Sequence, residues 1–236
     1  MSFMQTFIRF VLVISIPTLV GFSKTTQIQN INSIKKPIQL FNGKNLAGWQ
    51  HVGAGNFVIE NSYLKTQGGL GLLWYTKRKF GNVHIRIIYK TTYPEANSGV
   101  FVRIGNKPKT PWDAVHQGYE IQICDKGKDA FDAYHRTGAI YSLSKSTSFP
   151  SKPPGEWNQY DIKLQNEKIV IWLNGKKINE FDFKGPIPPR KQYFEPKRGP
   201  RPLYGYIGIQ NHDHNAQQKD SHVYFKEISI WPLDHA

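Results

Sequence analysis

The chain has 236 residues, of which 14% are aromatic, so its length and composition fit one β-rich domain with a sizeable core. The formal net charge is +14, but no helical basic stripe or nucleic-acid motif accompanies it, and we expect solvated lysines and no nucleic-acid partner. The single cysteine, Cys124, excludes an internal disulfide, and we expect it to be a buried structural residue.

The first 23 residues have the features of a secretory signal peptide. Arg9 precedes an apolar run over residues 10–20, and Gly21-Phe22-Ser23 supplies small residues near a cleavage point. The apolar run, about 11 residues, is too short to span a bilayer. We therefore expect a secreted or periplasmic protein with no membrane anchor after cleavage, a linker over residues 24–37 and one domain over residues 38–236.

From residue 38 onward, short apolar runs separated by Gly, Pro and Asn predict β-strands and turns. In chain order these are an Asn42-Gly43 turn, a hairpin over 57–65 with Asn61-Ser62 at its tip, strands over 70–75, 83–89, 97–104 and 118–125, a hairpin over 157–175, and strands over 206–210 and 222–231. No segment shows sustained helical periodicity. The pattern predicts an all-β antiparallel sandwich or jelly roll.

Two of these strands combine an apolar face with a polar one, because side chains alternate along a strand. On 97–104 the alternation predicts one face of Val100, Val102 and Ile104 and an opposite face of Asn97, Gly99, Phe101 and Arg103. On 118–125 it predicts that Tyr119, Ile121 and Ile123 are opposed by Glu120, Gln122 and Cys124. If the two strands share a sheet, an arginine, a carboxylate and an amide meet on one surface.

Three kinds of site are compatible with these residues. Glycosidases usually use two carboxyl groups, but the position two residues after Glu120 is Gln122, so Glu120 is a lone acid or base. Carbohydrate binding without catalysis would use aromatic side chains stacked on sugar rings, although large aromatics more often fill the core. The candidates for stacking are Trp74, Tyr119, Tyr141 and Trp157.

The histidines are compatible with a divalent metal as a cofactor. His212-Asp213-His214, with His222 and either His116 or His135, could supply ligands. No spacing signature completes the set, and a loop of solvated histidines is the simpler interpretation.

The run Leu40–Trp49 resembles the opening motif of the 3-keto-disaccharide hydrolase domain family. Further motifs follow in the family's order: Asn97–Arg103, Gly118–Ile123, Thr137–Tyr141, Gly155–Asn158, Leu173–Gly175, Gly208–His212 and Val223–Ile228. The resemblance covers about Ile38 to Pro232. It implies a concanavalin A-like jelly roll, export from a bacterial cell and action on glycosides oxidised at carbon 3 of the sugar.

The implied substrate explains the single carboxylate, because a ketone at carbon 3 acidifies the hydrogen on carbon 2 and one base can then start an elimination. On this basis we expect Glu120 to be the base or a metal-orienting carboxylate, Arg103 and Gln122 to be polarising donors, and His212 to be an acid or metal ligand. The residues expected to bind substrate are Asn97, Tyr141 and Gln210, with Arg190 and Arg201 closing the pocket from a basic proline-rich insert over 188–202.

Three alternatives remain at this point. Glu120 and Arg103 could form a cross-strand salt bridge that only stabilises the sheet. The whole protein could also be a non-catalytic carbohydrate-binding module on the same fold, or a basic surface protein that binds acidic polymers.

Overall fold

A computed structural model describes residues 36–125, 133–213 and 221–233. The predicted signal peptide and all but the last two residues of the predicted linker lie outside these ranges, so both remain predictions. Within them the elements are β1 Ile38–Gln39, β2 Trp49–Gly53, β3 Asn56–Glu60, β4 Tyr63–Gln67, β5 Gly69–Tyr75, β6 Val83–Thr91, β7 Asn97–Ile104, α1 Pro111–Gln117, β8 Tyr119–Cys124, β9 Asn158–Gln165, β10 Lys168–Leu173, β11 Lys176–Asp182, β12 Tyr206–Asp213 and β13 Val223–Pro232.

The strands form two antiparallel sheets, which confirms the predicted jelly-roll sandwich. The larger sheet has the order β11-β10-β9-β6-β13-β4-β3, with β1 also paired to β13. The smaller sheet has the order β2-β5-β12-β7-β8. The predicted hairpin tip at Asn61 and Ser62 is present, with φ of 52° and 65°. Asn174 and Gly175, with φ of 51° and 81°, form the tip of a further hairpin between β10 and β11 that was not predicted. Positive φ at both central residues is the geometry that two-residue hairpins require.

The main core lies between the sheets and is built from the apolar faces that alternation defines. Ile85 and Ile87 of β6 and Ile121 and Ile123 of β8 are buried there, and each fully buried aliphatic side chain contributes about 1.5–3 kcal/mol. Cys124 is buried, as predicted, but lies outside this cluster. A second apolar cluster lies where α1 packs on the outer face of the smaller sheet: Leu72, Trp74, Phe101, Ile104, Ala114 and Val115.

α1 is the one helix of the described ranges, and the strand-based prediction missed it. It begins after Thr110, whose hydroxyl accepts from the Asp113 backbone N–H while the Asp113 carboxylate accepts from the Thr110 N–H. This capping box, with Pro111 in the first turn, explains why so short a segment is helical. In this part of the chain no helix is long and apolar enough to cross a membrane.

The predicted faces of Arg103 and Ile104 on β7 are wrong, because the strand contains a β-bulge. Phe101 pairs with Gly208 and Ile104 pairs with Tyr206, so β7 advances three residues while β12 advances two. Arg103 takes φ of +57° at this point. The extra residue reverses the alternation, so Ile104 joins Phe101 in the outer cluster and not Val100 and Val102 in the main core.

Candidate active site

A cavity of about 300 Å³ opens on the outer face of the smaller sheet, beside α1. Strands β5, β7, β8 and β12 supply its floor, and α1 and two loops supply the rest. Its lining residues are Leu70, Asn97, Pro111, Trp112, Val115, Glu120, Gln122, Tyr141, Tyr193, Phe194, Gln210 and His212. Six of the nine residues predicted for the site therefore lie together: Asn97, Glu120, Gln122, Tyr141, Gln210 and His212.

A glycine at the centre of the floor makes room for the carboxyl group. Gly99 of β7 pairs with Gln210 of β12 on one side and with Gln122 of β8 on the other. A Cβ atom at position 99 would lie 2.4 Å from Glu120 Oε1 and 2.8 Å from its Cγ. The Glu120 side chain can therefore lie against β7 only because position 99 has no side chain.

Glu120 is nearly sealed from solvent, with 6% of its surface exposed. Burial raises its pKa to about 8, and a hydrogen bond from Gln210 opposes the rise without cancelling it. In the amide orientation that satisfies its neighbours, Gln122 Nε2 donates to the Ser98 carbonyl at 3.0 Å and to Glu120 Oε1 at 3.2 Å. At neutral pH the carboxyl group is mostly protonated, and the ionised fraction is a stronger base than an exposed glutamate.

His212 is held by Asn97 at the edge of the cavity. The Asn97 Nδ2 atom lies 3.0 Å from His212 Nδ1. In the Asn97 amide orientation of the structure the nitrogen donates and Nδ1 accepts, and this hydrogen-bond pairing assigns the tautomer that has its proton on Nε2. His212 is thereby oriented as an N–H donor.

Tyr141 reaches the cavity from a segment that extends the smaller sheet. The Tyr141 N–H donates to the Glu120 carbonyl at 2.9 Å, and the Gln122 N–H donates to the Ala139 carbonyl at 3.0 Å. Two further bonds run from the N–H groups of Thr137 and Gly138 to β8, at 3.1 and 3.0 Å. Residues 137–141 thus cover the outer edge of β8 and place Tyr141 beside Glu120.

Arg103 does not reach the cavity, which corrects the prediction that it lies on the same surface as Glu120. The bulge turns its side chain away, and Arg103 Nη2 donates to the Asn166 carbonyl in the turn between β9 and β10. It is 1% exposed, and burial lowers its pKa. Among the described residues no ion pair joins Arg103 to Glu120, so the alternative of a cross-strand salt bridge between them is excluded.

Arg190 and Arg201 are absent from the lining residues, and their hydrogen bonds go to backbone carbonyls of the insert and, for Arg201, also of Gly118. Arg201 Nε donates to the Gly118 carbonyl at 2.9 Å, and its terminal nitrogens donate to Gly199 and Lys197 at 2.7 and 2.6 Å. Its guanidinium also lies 5.1 Å from the centre of the Tyr119 ring. The insert does close the cavity, but with Tyr193 and Phe194.

The aromatic side chains of the lining that sequence reasoning missed are Trp112, Tyr193 and Phe194. For Trp112 a signal was present, since Thr110-Pro111-Trp112-Asp113 has the form of a helix start. Around Tyr193 and Phe194 the sequence shows only the composition of a proline-rich loop. Such a composition does not indicate which residues the loop contacts.

The candidate metal ligands are dispersed. Across the described ranges no group of three or more His, Cys, Asp or Glu side chains is arranged to hold a metal. His116 stacks on Trp112, and His135 packs against Tyr141. The Asp213 side chain and all of His214 lie outside the described part, so a metal site that used them stays a hypothesis.

Of the four aromatics considered for sugar stacking, only Tyr141 lines the cavity. Trp74 and Tyr119 are buried in the two apolar clusters. Trp157 packs against Tyr63, with ring centres 4.9 Å apart. For Trp74 and Tyr119 the simpler expectation, a place in the core, was correct.

The fold and the cavity define a jelly-roll protein with a polar site on one outer sheet face. Residues 36–231 match the sequence profile described as a 3-keto-alpha-glucoside-1,2-lyase-like domain. The chain belongs to this family, as the ordered motifs predicted. No curated protein sequence matches it.

Solved structures support the same assignment. A protein from Parabacteroides distasonis ATCC 8503, provisionally assigned as a glycosyl hydrolase, is 28% identical with a TM-score of 0.66, over 84% of this chain and 100% of its own. A second such protein from that organism is 22% identical with a TM-score of 0.63, over 84% of this chain and 94% of its own, and shows the fold alone. A galectin-like protein of unknown function from Bacillus subtilis is 11% identical with a TM-score of 0.56, over 82% and 93%, and shows the fold alone.

Proposed function

We propose that this protein cleaves glycosides whose sugar ring carries a ketone at carbon 3. The observation that carries the proposal is the solitary carboxyl group: of the described residues that line the cavity, only Glu120 has one. Two-carboxylate glycosidases need a second about 5–9.5 Å away, whereas a ketone lets one base start the cleavage. Family membership and the glycosyl-hydrolase assignment of the 28% identical protein support the same conclusion. We also propose export, on the basis of the predicted signal peptide.

The proposed reaction is an elimination followed by hydration. The Glu120 carboxylate takes the proton from carbon 2, and the electron pair forms the enolate of the ketone. When the ketone re-forms, carbons 1 and 2 become doubly bonded and the bond from carbon 1 to the leaving oxygen breaks. That oxygen takes up a proton and departs as an alcohol. Water then adds its hydroxyl to carbon 1 and a proton to carbon 2, so the net result is hydrolysis.

The surrounding groups fit this chemistry. The buried Glu120 retains a proton up to about pH 8, so its carboxylate has the strength to abstract a carbon-bound proton. The amides of Gln122 and Gln210 flank it and would orient the sugar hydroxyls and the developing enolate oxygen. In this tautomer the Nε2–H of His212 is the candidate hydrogen-bond donor to the leaving oxygen, and the proton that this oxygen finally takes up comes from water.

The test is to incubate the purified protein with a 3-keto glucoside and with its unoxidised parent and to measure release of the leaving group. We expect release from the keto sugar alone, and a loss of at least 100-fold in Glu120→Gln. Glu180→Gln, an exposed change on β11, is the matched control and should keep wild-type activity. Full activity in Glu120→Gln would refute the base assignment. Repeating the assay with a chelator tests the metal hypothesis for His212.

A non-catalytic carbohydrate-binding module is the second candidate, favoured by the exposed aromatics at the cavity mouth. Trp112 is 42% exposed and Tyr193 is 83% exposed, and such rings can stack on sugars. Release from neither substrate, combined with measurable binding of an unoxidised oligosaccharide, would support this function instead.

A further inference from the structure

The cavity has two chemically different sides. Its floor carries the amides, Glu120 and His212, whereas the side formed by α1 and the insert carries Pro111, Val115 and three aromatic rings. We call Trp112, Tyr193 and Phe194 the aromatic wall. Large aromatic side chains that are exposed at the border of a cavity are typical of a ligand-binding surface.

The insert holds its part of the aromatic wall in a fixed position. Arg190 donates to the carbonyl of Tyr193 and, at 3.1 Å, to that of Glu195. The buried Glu195 carboxylate accepts from the Lys191 N–H at 2.9 Å and pairs with Arg198 at 3.1 Å. Arg198 also donates to the Pro188 and Pro196 carbonyls at 2.9 and 2.6 Å.

This network fixes the backbone on both sides of Tyr193 and Phe194, whose rings meet edge to face at 5.4 Å. The second half of the wall is on α1, where Trp112 stacks on His116 at 6.4 Å. A ring presented on a fixed backbone loses little conformational entropy when a ligand binds. The basic residues of the insert therefore serve to hold apolar rings at the cavity mouth.

We propose, building on the proposed function, that the aromatic wall is the subsite for the leaving group and that it selects an aromatic ring. The sugar then lies on the polar floor with carbon 2 at Glu120, and the carbon-1 substituent points to the mouth. A second sugar could stack a C–H face on one ring of the wall, but the hydroxyl groups around its rim would then lie against Pro111, Val115 and Phe194, and a desolvated hydroxyl without a partner is unfavourable. An aryl group meets the wall with its apolar faces and needs no such partners.

The test compares substrates that differ only in the leaving group: the 3-keto derivatives of methyl glucoside, phenyl glucoside and a disaccharide, of one anomeric form. KM and kcat are measured for wild type, Tyr193→Ala and Trp112→Ala. Tyr204→Ala, exposed and outside the cavity lining, is the control. Phenol is a better leaving group than methanol or a sugar. This difference affects wild type and variants alike, so each variant is compared with wild type on the same substrate.

We expect Tyr193→Ala and Trp112→Ala to raise KM for the phenyl glucoside about tenfold, and to change KM for the methyl glucoside less than twofold. Equal changes on methyl and phenyl substrates, or a rise for the disaccharide as large as for the phenyl glucoside, would overturn the aryl assignment. If wild type cleaves no substrate, the proposed function fails by itself. Titration with unoxidised phenyl and methyl glucosides still tests the wall, because only the phenyl compound should lose affinity in Tyr193→Ala.

Discussion

Replacing Glu120 by glutamine should stabilise the folded protein at neutral pH and remove most of the pH dependence that this residue creates. In the folded state burial raises the pKa of Glu120 from its ordinary 4.5 to about 8. Between these values the unfolded chain has released the proton while the folded protein keeps it. Stability is therefore highest below pH 4.5 and falls as the pH rises towards 8.

Each pH unit in this interval costs about 1.4 kcal/mol. The loss from pH 4.5 to pH 7 is thus about 3 kcal/mol, and because Glu120 is only 6% exposed, solvent screens little of it. Glutamine has the same shape and no charge to bury, so Glu120→Gln should gain about this amount over wild type at pH 7 and nothing at pH 4.

The assay is denaturant unfolding of wild type and Glu120→Gln at pH 4, 5.5, 7 and 8.5, followed by tryptophan fluorescence. Glu180→Gln is the control, since ion pairing with Lys177 lowers the pKa of that exposed residue and it titrates only below the interval. Parallel stability curves for wild type and Glu120→Gln from pH 4 to 8.5 would show that the carboxyl group is not buried as described.

Three further predictions concern the same site. If Glu120 is the base, kcat/KM should rise about tenfold from pH 7 to a plateau above pH 8, and a fall over this range would make Glu120 an acid instead. Arg201→Ala should lose roughly 3 kcal/mol of stability, because three backbone carbonyls lose a charged donor. A loss of activity at unchanged stability would instead support the original prediction that Arg201 contacts the substrate. Gly99→Ala should lower kcat at least tenfold in a folded protein, because the new Cβ displaces the Glu120 carboxyl group; Gly81→Ala, whose Cβ meets only the Tyr204 ring and a backbone oxygen, should not.

Strand alternation was sufficient to bring part of the site together. Period-two patterning put Glu120 and Gln122 on one face of β8 and Asn97 on the matching face of β7, and the structure has them there. Regular strands permit this inference because one residue determines the orientation of the next. Gln210 came from the family resemblance, and His212, first noted as a possible metal ligand, was placed with Glu120 by the same resemblance, since a single strand pattern does not reveal which distant strand is its neighbour.

Arg103 shows where alternation stops being informative. A bulge adds one residue to β7, and whether a strand has a bulge depends on its pairing with β12, which the local sequence does not encode. The aromatic wall could not be predicted from strand alternation for a related reason. Tyr193 lies in a loop whose shape depends on charged side chains bonding to backbone carbonyls, and no periodicity records such contacts.

The segment that covers the open edge of β8 links the solubility of this protein to its chemistry. An uncovered edge strand is a template on which another molecule can add a strand. Here residues 137–141 occupy the outward backbone groups of Glu120 and Gln122 and also carry Tyr141 to the cavity. A substitution that loosens this segment would free those groups for intermolecular pairing and remove Tyr141 in the same event. Aggregation and inactivation would then be two results of a single local opening.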